Sequence, residues 1–324
     1  MRFSIRLNND LPVSAYPELA RAAEAAGFDQ FWVSHDLFLR SGPVILTACA
    51  LATEHIQLGT CVLNPYTLHP AEIAMTAATM QEVSGGRFNL GIAAGAADFL
   101  GWVGIAHERP LARMREVIGQ VRACLAGEAV PGWEPQAYLR VPVEQPIPIY
   151  LGATSPGMLR LAGELADGVL PLLFPPEHLV TVRPLVEEGA VRSGRSLAEV
   201  DLAACIWVSV SADGEAAADV LRDKIAYYGH ALSGYLKDRL GLRDEELDAI
   251  ERALQQERDP ELARSLVTPQ MLRIGVVGTP AELIPRLEGL VELGATHLSF
   301  GPPLGPEPLA AIELLGREVL PRFR

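Results

Sequence analysis

Along this chain, short runs that are apolar almost without a break alternate with longer stretches whose apolar residues return every three or four positions. The runs fall near Phe3–Leu7, Phe28–Val33, Ile56–Leu63, Phe88–Ala93, Ile147–Gly152, Val169–Leu173, Leu202–Val210 and Thr296–Phe300. A strand that is continuously apolar, rather than alternating, suits a parallel sheet covered on both faces. The stretches between the runs predict helices. Leu19, Ala22, Ala23 and Ala26 follow the helical spacing and stop at Gly27. Val44–Thr53, Pro70–Val83 and Leu111–Leu125 continue the series. Met158, Leu161, Ala162 and Leu165 repeat the period, as do Glu282–Leu293 and a last helix from Glu307 to Val319.

Eight such strands with helices between them predict a closed parallel (β/α)8 TIM barrel. A doubly wound open sheet is the alternative. It needs a glycine-rich phosphate turn after its first strand, but Asn8-Asn9-Asp10-Leu11-Pro12 stands there, and no GxGxxG or P-loop occurs anywhere. Two connections are long for simple βα units. Residues 127–146 are rich in Pro and Gly. Residues 211–280 carry charged helical stretches at Gly214–Leu240 and Asp244–Arg258. Neither shows a core of its own, so residues 1–324 read as a single domain with two insertions.

Charge narrows the function. Against 27 basic residues stand 40 acidic ones, a formal charge of −13. An acidic chain is a poor fit to nucleic acid or to an anionic membrane surface, both of which need a basic face. No apolar run approaches the ~20 residues of a membrane helix, and MRFSIRLNND lacks the apolar core of a signal peptide. Cys49, Cys61, Cys124 and Cys205 are scattered, with no metal spacing and no disulfide framework, which points to a reduced, cytoplasmic setting.

In a barrel of this kind the chemistry lies at the C-terminal strand ends. Here those ends read Asn8-Asn9, Ser34-His35-Asp36, Asn64-Pro65, Gly95-Ala96-Ala97-Asp98, Ala153-Thr154-Ser155, Phe174-Pro175, Ser211 and Gly301-Pro302. The set is poor in ionisable groups. A Schiff-base or pyridoxal enzyme needs a lysine, yet the only lysines, Lys224 and Lys237, fall in the long insertion. His35 and Asp36 are the one imidazole–carboxylate pair, too few for a metal hydrolase, and no two carboxylates face each other for a glycosidase. What remains is a mouth of small residues, where backbone N–H groups approach a flat or phosphorylated ligand and a cofactor carries the reactivity.

Four segments are more specific: GFDQFWVSHDLFLRSGPVILTACALAT (27–53), IQLGTCVLNPYTLHPAEIAMTAATMQEVSGGRFNLGIAAG (56–95), PIYLGATSPGMLRLAGELADGVLP (148–171) and VVGTPAELIPRLEGLVELGATHLSFGPPLGP (276–306). Together they resemble the luciferase-like flavin and deazaflavin oxidoreductases, most closely the methylenetetrahydromethanopterin reductase branch. The resemblance spans nearly the whole chain and is weakest over 127–146 and 211–270. It implies the deazaflavin F420 as cofactor, with FMN as the alternative. It implies a cis peptide at Cys61–Val62, in a bulge behind the cofactor ring. It places cofactor contacts at Cys61, Val62, Asn64, Gly95, Ala96, Gly152, Ala153, Thr154 and Ser155. The Ser34-His35-Asp36 loop matches a Ser-Asp-His loop of the family with two positions transposed, which makes His35 and Asp36 the candidate catalytic groups. Relatives that oxidise alcohols or sugar phosphates carry a carboxylate just after the Gly95 position, where this chain has Ala96-Ala97. Removing hydride from an alcohol needs a base for its proton, whereas giving hydride to a methylene-iminium carbon needs mainly positioning. The expected activity is therefore an F420-dependent reductase acting on a small molecule. An FMN monooxygenase using reduced flavin and oxygen, or a non-catalytic flavin-binding barrel, are the other readings.

The helices at Val44–Thr53 and Ala71–Val83 add an expectation about assembly. Glu72 and Glu82 are the only charges between Pro70 and Val83, and there are none between Gly42 and Thr53. A barrel helix facing water carries a charged stripe, so a homodimer or dimer of dimers is expected to cover these faces.

Overall fold

The computed structural model describes residues 1–228 and 238–324. The part of the expected Gly214–Leu240 helix that falls on 229–237 lies outside the described residues. The strands are β1 (Arg2–Leu7), β2 (Gln30–Val33), β3 (Gln57–Thr60), β4 (Phe88–Ile92), β5 (Ile149–Gly152), β6 (Gly168–Leu170), β7 (Asp201–Val210), β8 (Val276–Gly278) and β9 (His297–Leu304). Their order in one sheet is β6-β5-β4-β3-β2-β1-β9-β7-β8, and β6 also pairs with β7. That extra pairing closes the series from β6 to β7 and leaves β8 outside, so β1–β7 and β9 form a closed ring of eight, the expected (β/α)8 barrel. These eight are the strands read from the sequence. The ninth, β8, runs beside Val208–Val210 of β7. At three residues, it is too short to show a periodicity.

Helices α1 (Tyr16–Ala26), α2 (Gly42–Ala50), α3 (Pro70–Val83), α4 (Ala97–Trp102), α5 (Pro110–Leu125), α6 (Pro156–Leu165) and α7 (Leu179–Arg192) follow β1–β6, with α4 and α5 both after β4. The sequence pattern does not show α7, because Pro184 lies inside it. Its contact with α6 is close. A Cβ on Gly163 would lie 1.9 Å from the Val186 carbonyl oxygen, and one on Gly189 equally near that of Arg160. Only hydrogen fits between these backbones.

The chain divides into two compact units, Ser4–Pro171 with Thr181–Ala203, and Met1–Phe3 with Leu172–Val180 and Ala204–Arg324. In the first, two aromatic rings fill the interior: Trp32 and Tyr150 meet edge to face with centroids 4.8 Å apart. Each lies where a neighbouring strand lacks a side chain. A Cβ on Gly59 would lie 2.1 Å from the Trp32 ring, and one on Gly168 would lie 2.1 Å from that of Tyr150. Their polar atoms are satisfied in a chain. Trp32 Nε1 donates to Gln30, Gln30 Nε2 donates to Gln57 and to Tyr150 Oη, and Tyr150 Oη donates to Asp201 at 2.6 Å. Nearby, the arginine of the SGGRF segment closes the αβ corners. Arg87 donates to the carbonyls of Ala50, Thr53, Ile56 and Ser84 and to the Thr53 hydroxyl.

In the second unit the 211–280 segment joins a shared core. From α8 (Gly214–Tyr228), α9 (Asp244–Gln255) and α10 (Pro260–Ser265), residues Leu221, Ile225, Leu247, Ile250 and Ala263 pack with Phe174 and Trp207. The sequence hides this core because its apolar residues are shared among short helices dominated by charges. The unit closes with α11 (Pro280–Glu292) and α12 (Pro308–Leu314). No helix among the described residues is long and apolar enough to cross a membrane, and none of their cysteines is in a disulfide.

Candidate functional site

The sequence-predicted site residues all fall in the first unit, at the C-terminal ends of β2, β3, β4 and β5. The β3 end is built by a hydroxyl and a missing side chain. Thr60 Oγ1 donates to the Gly91 carbonyl at 2.9 Å and accepts from the Gly91 N–H at 3.0 Å. A Cβ on Gly91 would lie 1.9 Å from the Thr60 carbonyl oxygen. Beyond this clasp the register slips. Gly59 pairs with Asn89, but Leu63 pairs with Ile92, so β3 carries one extra residue, a bulge. The Cys61–Val62 bond inside it is cis, as the resemblance implies.

The bulge aims Cys61 and Val62 out of the strand. Both are half-buried, as are Ala93 and Gly152 at the neighbouring strand ends. A Cβ on Gly152 would lie 2.9 Å from Ala93 Cβ and 3.4 Å from Val62 Cγ1, so these residues share one surface. It is small, apolar and free of charge.

Asn64 and Gly95 also meet. Gly95 has φ +76°, and a Cβ on it would lie 2.0 Å from Asn64 Nδ2. Asn64 Oδ1 accepts from the Tyr66 N–H at 2.9 Å. The carbonyl end of that amide therefore shapes its own loop, and the Nδ2 end packs against the Gly95 backbone. Ala96 is exposed as the residue before α4. Ala153 is buried, and Thr154 and Ser155 are exposed. The Ser155 side chain accepts from the Met158 N–H, capping α6.

His35 lies half-buried after β2, with Asp36 exposed beside it. His35 Nδ1 accepts from the Gly42 N–H at 3.0 Å, at the start of α2. An accepting Nδ1 puts the ring proton on Nε2. Burial also pushes the imidazole pKa below its ordinary 6.5. The group is thus a neutral Nε2–H donor, not an imidazolium. Its loop is tied from β1 by Asn9, fully buried, whose Nδ2 donates to the carbonyls of Asp36 at 3.2 Å and Arg40 at 2.6 Å. Neither Asn9 nor Thr60 was legible as functional. Asn9 reads only as part of a strand end and Thr60 as an ordinary strand residue, and only the fold shows what each holds.

A model of the luciferase-like monooxygenase family matches residues 1–297. The chain belongs to that family. It is 32% identical over 341 residues to the 5,10-methylenetetrahydromethanopterin reductase of Archaeoglobus fulgidus, with all of both chains covered. It is 33% identical over 325 residues to the F420-dependent glucose-6-phosphate dehydrogenase of Beutenbergia cavernae, covering 93% of this chain and 91% of that one. Among solved structures, the coenzyme F420-dependent tetrahydromethanopterin reductase of Methanopyrus kandleri superposes with a TM-score of 0.90 at 30% identity. That match covers 100% of this chain and 99% of the other.

The His35 geometry predicts a pH dependence with a definite sign. The folded ring binds its proton less readily than the unfolded one. Stability from this group is therefore complete above about pH 6.5 and falls as the pH drops from there toward the lowered value. Imidazole NMR is expected to show His35 titrating below 6.5, with the neutral ring protonated on Nε2. A midpoint above 6.5 contradicts this.

Proposed function

We propose that the protein is an F420-dependent oxidoreductase of the reductase type, passing a hydride from the reduced deazaflavin to an electrophilic carbon of a small organic substrate. The observation that carries the reading is the end-to-end likeness to the Archaeoglobus fulgidus reductase, with no part of either chain left out. The site fits such a cofactor. A flat ring needs an apolar wall without charge, and Cys61, Val62, Ala93 and Gly152 supply one. Ala153, Thr154 and Ser155, ahead of α6, would take the polar tail, with Gly95 and Ala96 along the side. In this reading residues 1–324 act as one domain in the cytoplasm.

When bound, reduced F420 supplies the hydride. The chain's own groups do the rest. The Cys61–Val62 bulge would shield one face of the ring from water and leave the other open to substrate. His35 would offer its Nε2–H to a ring-edge or substrate acceptor; with Nδ1 engaged by the Gly42 N–H and Nε2 already protonated, it presents no lone pair to take a proton from an alcohol. Asp36 is the carboxylate closest to it in sequence. Ala96 and Ala97 give no base at the β4 end. These features favour an acceptor that is already electron-poor, such as a methylene-iminium carbon, over an alcohol. The family model's monooxygenase name supports a second reading, FMN with oxygen.

Purified protein titrated with F420 and, separately, with FMN distinguishes the two by visible absorbance. F420 is expected to saturate the protein, and His35→Ala to slow F420 turnover tenfold or more while the protein still folds, since such groups contribute roughly 10²–10⁴. Saturation by FMN alone contradicts the reading, and unchanged turnover removes His35 from the site.

The same reading includes a homodimer or dimer of dimers. Val44, Leu51 and Met75 on and beside α2 and α3 are 60%, 78% and 53% exposed, on a face whose helices carry almost no charge. Apolar faces of this kind are covered by a second copy in most symmetric dimers. Light scattering is expected to give at least twice 34.9 kDa, and a mass near 34.9 kDa at micromolar concentration contradicts it.

A further inference from the structure

At the end of β1 a fully buried amide is given over to an exposed loop. Asn9 Nδ2 donates to the carbonyl oxygens of Asp36 at 3.2 Å and Arg40 at 2.6 Å, which uses both of its protons. Its Oδ1 has no donor among the described residues. A buried acceptor without a donor costs stability. Asp36 and Arg40 are exposed residues, so their carbonyls gain less from a protein donor than buried ones do. Folding alone gives a poor reason for an asparagine at this place.

What the amide fixes is a shape. The Leu39 N–H donates to the Asp36 carbonyl, a turn that puts Phe38 at its third position with φ +68°. That position suits glycine, and a phenylalanine there is a strained outlier. The Phe38 ring is 69% exposed and lies beside Trp102, itself 66% exposed, so packing does little to hold it. Asn9 does the holding, on both sides of Phe38. Besides the two side-chain bonds, its backbone carbonyl accepts from the Arg40 N–H at 3.2 Å. Arg40 Nη1 adds a bond to the Asp10 carbonyl at 2.6 Å.

The same loop carries His35. Its two ends close where His35 Nδ1 accepts from the Gly42 N–H at 3.0 Å. The fit there is tight, since a Cβ on Gly42 would lie 2.6 Å from the Ser34 carbonyl oxygen. His35 thus fastens the ends of the loop, and Asn9 pins its middle.

We infer that Asn9 is a positioning residue for His35: it clamps Asp36 and Arg40 so that the strained loop between them cannot relax and carry the imidazole off the Gly42 N–H. The consequence for turnover rests on the reductase reading, and the clamp itself does not. Strain held in place by surrounding bonds is released when those bonds go. Without the clamp, Phe38 returns to negative φ, and the displaced Asp36 takes its neighbour His35 with it. The ring then exchanges between its two neutral tautomers, of which one alone donates from Nε2.

Asn9→Leu and Asn9→Asp test this. Leucine keeps the bulk, and aspartate keeps the shape without the N–H groups. Nitrogen-15 NMR of the imidazoles, in protein without cofactor and well above the His35 titration, gives the first readout. In the parent the Nδ1 and Nε2 shifts are expected to lie far apart, as in a fixed tautomer. In both variants they are expected to move toward each other, with the Gly42 amide exchanging roughly tenfold faster. The second readout is oxidation of reduced F420, with 5,10-methylenetetrahydromethanopterin as the acceptor. There kcat is expected to fall roughly tenfold while KM for F420 stays within about threefold, because β3 and β5 build the ring wall. Phe38→Gly supplies the control. It removes the strain that drives the loop away, so adding it to Asn9→Leu is expected to bring the His35 shifts back and kcat to within about threefold of the parent. Neither a direct contact of Asn9 with ligand nor a role in stability alone is restored in this way. Unchanged His35 shifts in both Asn9 variants overturn the proposal. Shifts that Phe38→Gly does not bring back overturn it too, as does loss of the fold in both variants, which makes Asn9 a residue of stability alone. A parent that does not oxidise reduced F420, with His35 shifts that still respond to Asn9, sinks the reductase reading and leaves the clamp standing.

Discussion

Two backbones are held together where Thr60 faces Gly91, and the site depends on that closeness. The Thr60 hydroxyl satisfies both the N–H and the carbonyl of Gly91, in a gap with no room for a Cβ. The ladder cannot continue in register past it, so β3 bulges and its peptide turns Cys61 and Val62 outward. The surface made by Val62, Ala93 and Gly152 follows from that one clasp. Below it, Trp32 and Tyr150 fill the interior against Gly59 and Gly168, giving the strand ends a rigid base.

The chemistry of the site is set as much by what is missing as by what is present. Among the described residues no group of three or more His, Cys, Asp or Glu could hold a metal ion. The His35 imidazole is kept neutral by burial and by its bond to the start of α2. Such a site orients and encloses, and leaves bond-making power to a bound cofactor.

Much of this was legible from residues 1–324 alone, for a physical reason. The ring strands bury both faces and so write continuous apolar runs, and the glycines after the helices mark their ends. The cis bond and the strand-end residues followed from family resemblance rather than from pattern. What stayed hidden was tertiary. α7 hides behind Pro184, β8 is too short for a period, and the 211–280 core is divided among charged helices. The sequence does not show that Asn64 also accepts from the Tyr66 N–H and packs against Gly95. Phe38 looked like a loop residue, because a positive φ on a phenylalanine has no signature in sequence.

The central claim is that the outward-turned ends of β2–β5 receive one flat cofactor. Amide hydrogen exchange of the full chain with and without F420 tests it most directly. The account predicts slowed exchange confined to four segments, around 34–42, 61–64, 93–96 and 152–158, with the rest unchanged. F420 that binds yet protects none of these amides, or protects only residues elsewhere, contradicts it.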